Sequence, residues 1–410
     1  MIYSGGHGVY NRCKYVKGGA SMNIIETDHQ YVANTYKRFN VALVKGKGAR
    51  AWDDNGKEYI DLGSGIAVNI FGYGDEEWKK AVISQMDALP HSSNLYHTEP
   101  CGKLARILCE RTGMKKVFFA NSGAEANECA VKVARKYAFD KYGDESHATV
   151  ITLVNSFHGR TLGMLSATGQ DHFHQYFGPF TPGFAYAEAN NTDSIKRILD
   201  KQGCCAIMVE MIQGEGGVMP LSYGFVKSIS QLCKENDLLF IVDEVQTGNG
   251  RTGRLFSYMN FERQPDIVTT AKGLGGGLPI GACLIGEKAE HTLGYGDHGS
   301  TFGGNPAVCA GAISILERID DKLLADVREK SAFIIEKLNG SKGLKSISGM
   351  GLMLGLETER PAAEIANACL ERGVLVLTAK AKVRLLPPLT ITMDELEKAV
   401  TILKEEIEKV

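Results

Sequence analysis

Only two tryptophans and eleven prolines occur among 410 residues, and no apolar run reaches the ~18 residues that a membrane-crossing helix needs. No membrane partner is expected. An excess of one charge is missing too. Lys plus Arg is 46 and Asp plus Glu is 48, a net charge of −2. That near-balance gives no field to draw in nucleic acid or an anionic surface. The ten cysteines include no CxxC pair, and most sit inside apolar stretches. They are expected to be buried thiols of a reducing cytoplasm rather than disulfides or zinc ligands. His172 and His174 form an HxH without further ligands nearby, so no metal is expected. Residues 1–21 hold no acidic residue and no continuous apolar core, which speaks against a signal peptide. They are expected to be a disordered leader, with Met22 opening the native chain.

What is plentiful is glycine, 47 in all, much of it beside polar residues, as tight turns near a ligand require. Between Asn40 and Ile70 short strands and turns are expected, with Asp54-Asn55-Gly56 as a hairpin turn. From about Asp75 helices alternate with short apolar strands. The expected strands are Val117–Ala120, Thr149–Val154, Ala206–Glu210, Leu238–Asp243, Ile267–Thr270 and Ala282–Ile285. Helical patterns between them include Glu125–Ala138 and Gly224–Glu235. This alternation predicts an α/β fold with a mostly parallel, doubly wound sheet. After Pro306 a helical run of about 30 residues is expected, then a smaller α+β unit. Its strands are Leu344–Ser348, Leu352–Leu356 and Val383–Leu386, closed by a helix from Met393. The expected division is a leader at 1–21, a segment at 22–74 that packs with the small domain, a large domain at 75–310 and the small domain at 311–410.

In open α/β sheets ligands lie beyond the carboxyl ends of the strands. Three polar features fall at such ends. In "FFANSGAEANE" (Phe118–Glu128), Ser122 and Glu125 have capping-box spacing, so a helix starts near Gly123. Its free N–H groups and dipole make an anion site, or merely a capped helix. This segment is neither GxGxxG nor GxxxxGK[ST], against a nicotinamide cofactor or a P-loop there. In "FIVDEVQTGNGRTG" (Phe240–Gly253), Asp243 and Glu244 end an apolar strand, where a carboxylate is costly unless paired. Asp243 is either a structural cap or ion-pair member, or a fixed anion opposite a protonated ring nitrogen. In "DIVTTAKGLGGGLPIGA" (Asp266–Ala282), Lys272 follows a second strand. It either snorkels to water or offers a low-pKa amine for Schiff-base chemistry. An anion cradle, a pyridinium partner and an aldehyde partner are together what pyridoxal 5′-phosphate needs. Asp243 and Lys272 lie 272 − 243 = 29 residues apart, about one strand–helix–strand unit.

With "NSGAEANE", "FHGRT", "QGEGG", "VDEVQTGNGRTG", "TTAKGLGGGLPIGA" and "HGSTFGGNP" in that order, the chain from about Tyr31 to its end resembles the class-III, fold-type I pyridoxal-phosphate aminotransferases. Within them it is most similar to the branch acting on acetylornithine. The resemblance implies that Lys272 holds the cofactor and moves protons. Asp243 would pair with the pyridine nitrogen, Val245 and Phe157 sandwich the ring, and Gln246 contacts the phenolic oxygen. Gly123 and Ala124 would bind the phosphate. Thr301 would reach the phosphate in the neighbouring subunit of a homodimer, with Ser300 near substrate. Arg160 would hold the distant carboxylate of an acylornithine and Arg384 the α-carboxylate of glutamate or 2-oxoglutarate. Glu215 would mask Arg384 while the ω-amine substrate is bound. The implied reaction transfers the terminal amino group of N2-acetyl-L-ornithine to 2-oxoglutarate in the cytoplasm, a step of arginine synthesis. Succinylornithine, ornithine or 4-aminobutyrate are the alternative donors.

Overall fold

The computed structural model describes residues 22–409; the leader expected at 1–21 lies outside them. The centre is a seven-stranded sheet. In spatial order its strands are Lys116–Ala120, Gly281–Ile285, Ile267–Thr270, Leu239–Asp243, Cys204–Val209, Thr149–Leu153 and Phe184–Ala187. Gly281–Ile285 runs antiparallel to both neighbours, and every other pairing is parallel. The inner strands are rich in Val and Ile and buried throughout, as a sheet covered on both faces requires. Six of the seven were legible as apolar runs. Phe184–Ala187 was not: it is a four-residue edge strand, and only Ala187 is buried.

The helix Gly123–Tyr142 starts as its capping residue dictates, with Ser122 Oγ accepting from Glu125 N. It begins at Gly123, where the cap places it, runs four residues past the expected Ala138, and stops at Gly143, whose left-handed φ of +79° favours glycine. Its sheet-facing residues include Ala126, Cys129, Ala130 and Ala134, small side chains that let it lie close to the strands. The connection from Asp243 to Ile267 differs from expectation. It contains turns and the 3-10 turn Ser257–Asn260 but no α-helix. The 30-residue helical run also divides, into Pro306–Arg318 and Asp321–Leu338, because Asp320 caps a new helix through Leu323 N. Residues 310 and 311 lie inside the helix Pro306–Arg318, and the helical run breaks at Ile319–Asp320.

The C-terminal part adds an antiparallel sheet ordered Leu344–Met350, Met353–Thr358, Lys382–Leu385 and Leu377–Ala379. The N-terminal hairpin strands Leu43–Lys47, Arg50–Asp53 and Glu58–Asp61 share a separate sheet with Val374–Leu375, where Ile60 pairs with Val374. Arg251, fully buried, ties the parts together. Its Nη1 donates to the carbonyls of Leu352 at 3.1 Å and Pro387 at 2.5 Å, and burial pushes its pKa down to about 9. Among the described residues no helix is long and apolar enough to cross a membrane. Nor do they contain a His/Cys/Asp/Glu group suited to a metal.

Candidate active site

The parallel strands all end on one edge, and that edge brings Asp243 and Lys272 together across neighbouring strands. Asp243 pairs with Thr269 in the sheet, three residues before Lys272. Both side chains line one cavity of about 610 Å³, with Gly123, Ala124, Phe157, Arg160, Val245 and Gln246.

Lys272 opens a tight 3-10 turn with a left-handed φ of +43°. For a residue with a Cβ that costs of order 1 kcal/mol. The turn is held from below. Asn249 Nδ2 donates to Thr270 Oγ1 at 2.9 Å and to the Ala271 carbonyl at 3.2 Å. Burial lowers the Lys272 pKa, and the Arg384 charge adds to this; the carboxylates of Glu215, Asp243 and Glu210 oppose it without winning. The balance leaves the amine below the ordinary lysine value, the direction that favours its nucleophilic form.

Asp243 is an almost fully buried carboxylate, which is stable only with donors around it. It has three. Asn127 Nδ2 and His158 Nδ1 each meet Oδ2 at 2.8 Å, and Val245 N donates to Oδ1 at 3.0 Å. Asn127 is itself fixed, donating also to the His158 carbonyl and accepting from Thr269 Oγ1. Burial works to lower the His158 pKa, but the hydrogen bond and charge of Asp243, with Glu210, raise it overall. Glu210 is pushed up to about 7, first by burial, while the His158 charge and two backbone N–H groups counteract. Those donors are Phe157 N at 2.9 Å and Gly214 N at 3.2 Å. Glu210 thus links the Phe157 loop to the turn before Glu215. Glu244, the next residue after Asp243, is instead structural, accepting from Thr247, Ser257 and Tyr258 N.

Pyridoxal phosphate fits these residues. Among the described residues no acceptor meets the N–H groups of Gly123 or Ala124, whereas the next two are taken by Ser122. Asp243 Oδ1 takes one donor and has a second lone pair free. A Cβ on Gly123 would lie 2.7 Å from Val245 Cγ1, so only glycine lets Val245 close over this point.

Glu215 and Arg384 meet at 2.5 Å, and Gln246 bridges them, its Oε1 3.2 Å from Arg384 Nη1 and its Nε2 3.4 Å from Glu215. Burial works to raise the Glu215 pKa, but the charge and hydrogen bond of Arg384, with Lys272 and Gln246, outweigh it and hold the carboxyl below the usual glutamate value. Arg160 lies apart and exposed, its guanidinium 4.1 Å from the Phe173 ring centroid and 5.3 Å from that of Phe157. Ser300 and Thr301 are not brought to this cavity. They line another of about 660 Å³ with His91, Asn94 and Phe119. Ser300 Oγ bonds Asn121 Nδ2 and Gly303 N, holding that loop.

Sequence reasoning missed Asn127, His158, Glu210, Phe173 and Tyr36, which also lines the cavity. It also passed over Gly248-Asn249-Gly250-Arg251-Thr252-Gly253, which has GxGxxG spacing. Here that stretch opens no helix but runs through turns, so it lacks the helix N-terminus that makes the pattern bind a dinucleotide. Cys204 and Cys205 are strand-core thiols, pushed by burial to about 11 and about 12.

A family model described as aminotransferase class-III matches residues 31–407. The chain belongs to the class-III aminotransferases. It is accordingly a pyridoxal-phosphate-dependent transaminase of the fold-type I α/β architecture. An acetylornithine aminotransferase of Haemophilus ducreyi is 50% identical over 94% of this chain and 98% of its own length. Another from Caldanaerobacter subterraneus is 45% identical over 94% of the chain and all of its own. Among solved structures, an ornithine aminotransferase of Toxoplasma gondii with partial occupancy of PLP at its active site superposes with a TM-score of 0.89. It is 34% identical and covers 94% of each chain. An N-acetylornithine aminotransferase of Stenotrophomonas maltophilia has a TM-score of 0.79 at 34% identity, over 94% of this chain and 98% of that one.

Proposed function

We propose that this aminotransferase moves the terminal amino group of N2-acetyl-L-ornithine to 2-oxoglutarate, giving N-acetyl-L-glutamate 5-semialdehyde and L-glutamate. The observation that carries the reading is the unequal treatment of two arginines: Arg384 is neutralised by Glu215, while among the described residues no carboxylate pairs with Arg160. One substrate reacts at a terminal amine and the other at an α-amine. Charge near the reacting carbon must therefore change between half-reactions, and a maskable arginine meets that need. The relatives named above for acetylornithine support the choice of donor.

Bound pyridoxal phosphate supplies an aldehyde that takes up an amine and a ring that accepts electrons. Gly123 and Ala124 would bind its phosphate through their free N–H groups, with the helix dipole assisting. Val245 and Phe157 would enclose the ring and exclude water from its faces. Asp243 would keep the ring nitrogen protonated, and Asn127 and His158 hold the carboxylate in place. Gln246 would meet the phenolic oxygen. Lys272 Nζ would tether the cofactor and then, once displaced, take the proton from the substrate carbon that bears the amine. Burial lowers its pKa, the direction that suits a proton acceptor. Arg160 would hold the carboxylate remote from the reacting carbon in both substrates, through its planar pair of donors. Glu215 would cover Arg384 in the first half-reaction and release it to an α-carboxylate in the second. Thr301 would reach the phosphate of the partner subunit in a cytoplasmic homodimer, with Ser300 near that substrate.

A panel of acetylornithine, succinylornithine, ornithine and 4-aminobutyrate, each with 2-oxoglutarate, tests the reading. The highest kcat/KM is expected with acetylornithine. Should ornithine or 4-aminobutyrate win clearly, the donor assignment falls.

A further inference from the structure

The free arginine needs something to hold it, and among the described residues no carboxylate, carbonyl or amide hydrogen-bonds Arg160. Its neighbours are two aromatic rings. Phe173 lies closer, at 4.1 Å from Cζ, and meets Phe157 edge-on, with centroids 5.7 Å apart and planes at 66°. The loop that presents Phe173 is built to stay put. Gln170, almost fully buried, donates from Nε2 to the Ser156 carbonyl at 3.0 Å, next to Phe157 in the chain. On the other side of Phe173, His174 Nε2 contacts the Leu165 carbonyl at 3.0 Å. Phe173 N donates to the Gln170 carbonyl, closing the turn Asp171–Phe173.

We propose that Phe173 is a positioning and specificity residue that holds Arg160 ready for a substrate carboxylate. The inference rests on the reading that Arg160 binds that carboxylate. A ring stacked on a guanidinium occupies its face and leaves the in-plane N–H donors open. An ion-pair partner would take those same donors and compete with the substrate. Phe173 therefore fixes the arginine without occupying it, and lowers the entropy lost when a carboxylate docks.

The test compares N2-acetyl-L-ornithine with N-acetyl-1,4-diaminobutane, the same terminal amine without the carboxylate. A stack of this kind is worth about 0.5–2 kcal/mol, roughly 2- to 30-fold. In the holoenzyme, Phe173→Leu is expected to raise KM for acetylornithine about 3- to 10-fold with kcat within twofold. KM for the diaminobutane is expected to stay unchanged, and Phe173→Tyr to restore the wild-type value. The dissociation constant of glutarate, read by calorimetry, should weaken in parallel. In an Arg160→Ala background, Phe173→Leu should add nothing. Equal losses on both amines, a fall confined to kcat, or a full Phe173→Leu effect on top of Arg160→Ala would each overturn the proposal. Arg160→Ala alone speaks to the underlying reading: if it leaves KM for acetylornithine unmoved, that reading fails, whatever Phe173 does.

Discussion

Replacing Glu215 by glutamine removes one charge and little volume, and its consequence can be worked from the geometry. Arg384 is almost fully buried and meets Glu215 at 2.5 Å, while the glutamate side chain keeps 31% exposure. A hydrogen bond between charged groups contributes about 1.5–3 kcal/mol when well enclosed, and the partial exposure favours the lower half of that range. Without the mask, Arg384 presents its full charge in both half-reactions. A terminal ammonium then enters against a like charge, whereas an α-carboxylate no longer has to displace Glu215. The two effects act in opposite directions on the two half-reactions. The ratio of kcat/KM for glutamate over that for acetylornithine should rise about 10- to 40-fold, at 1.4 kcal/mol per decade. Single-turnover spectroscopy of each half-reaction measures it. Because Glu215 is held below the ordinary glutamate value, the wild-type mask stays charged as pH falls through neutrality, and the wild-type ratio should not follow this group there. Equal loss of both half-reactions in Glu215→Gln, or an unchanged ratio, would refute the masking argument.

Lys272→Ala should abolish multiple turnover while pyridoxal phosphate still binds, seen as bound cofactor that denaturation releases without hydrolysis. Gly123→Ala places a methyl 2.7 Å from Val245 and should weaken cofactor retention; overpacking of this kind costs about 1–3 kcal/mol, measured by equilibrium dialysis. Mixing Lys272→Ala and Thr301→Ala subunits should restore part of the activity that each lacks, if Thr301 serves the partner's site; no recovery after verified subunit exchange would count against the shared site. Asp237 bridges Lys141 and Lys288 and, against the pull of burial, is held down at about 2. Its contribution is present above the unfolded value near 3.8 and is lost as pH falls toward 2. Asp237→Asn, which also suits the left-handed φ of +51°, should destabilise by roughly 0.5–1 kcal/mol at neutral pH after discounting for solvent screening. In denaturant titrations the gap between variant and wild type should close at the acid end.

The parts of this fold legible in the sequence are those whose cause is local. Apolar strands such as Leu239–Asp243 announce themselves by composition and by the polar residue that ends them. The Ser122 cap and the Asp54-Asn55-Gly56 turn are likewise written in a few adjacent residues. The break at Ile319 had a local signal too, since Asp320-Asp321 before an apolar run is a helix start. The support of Asp243 had none. Asn127 and His158 reach it across 116 and 85 residues, from a helix interior and a loop, and each looks ordinary in its own neighbourhood. Glu210 is the same case, a strand-end carboxylate whose raised pKa follows from enclosure with Asp243. The edge strand Phe184–Ala187 escaped because half-exposed edges carry little hydrophobic pattern.

The two arginines also answer a question of design that each would leave open alone. Both must bind carboxylate, yet they are held in opposite ways. Arg384, buried in the strand Lys382–Leu385, cannot stand uncompensated there, and Glu215 and Gln246 neutralise it. That neutralisation is itself switchable, because Glu215 keeps partial exposure and so has solvent to move toward. Arg160 is exposed, needs no counter-charge, and is held by rings that leave its donors free. Exchanging the two solutions would fail on physical grounds. A carboxylate beside Arg160 would compete in both half-reactions, and aromatic rings around Arg384 would leave a buried charge without relief. The division between a constant and a switched carboxylate site thus follows from burial, and burial follows from where each arginine stands: one inside a strand, the other on a loop at the sheet's open edge.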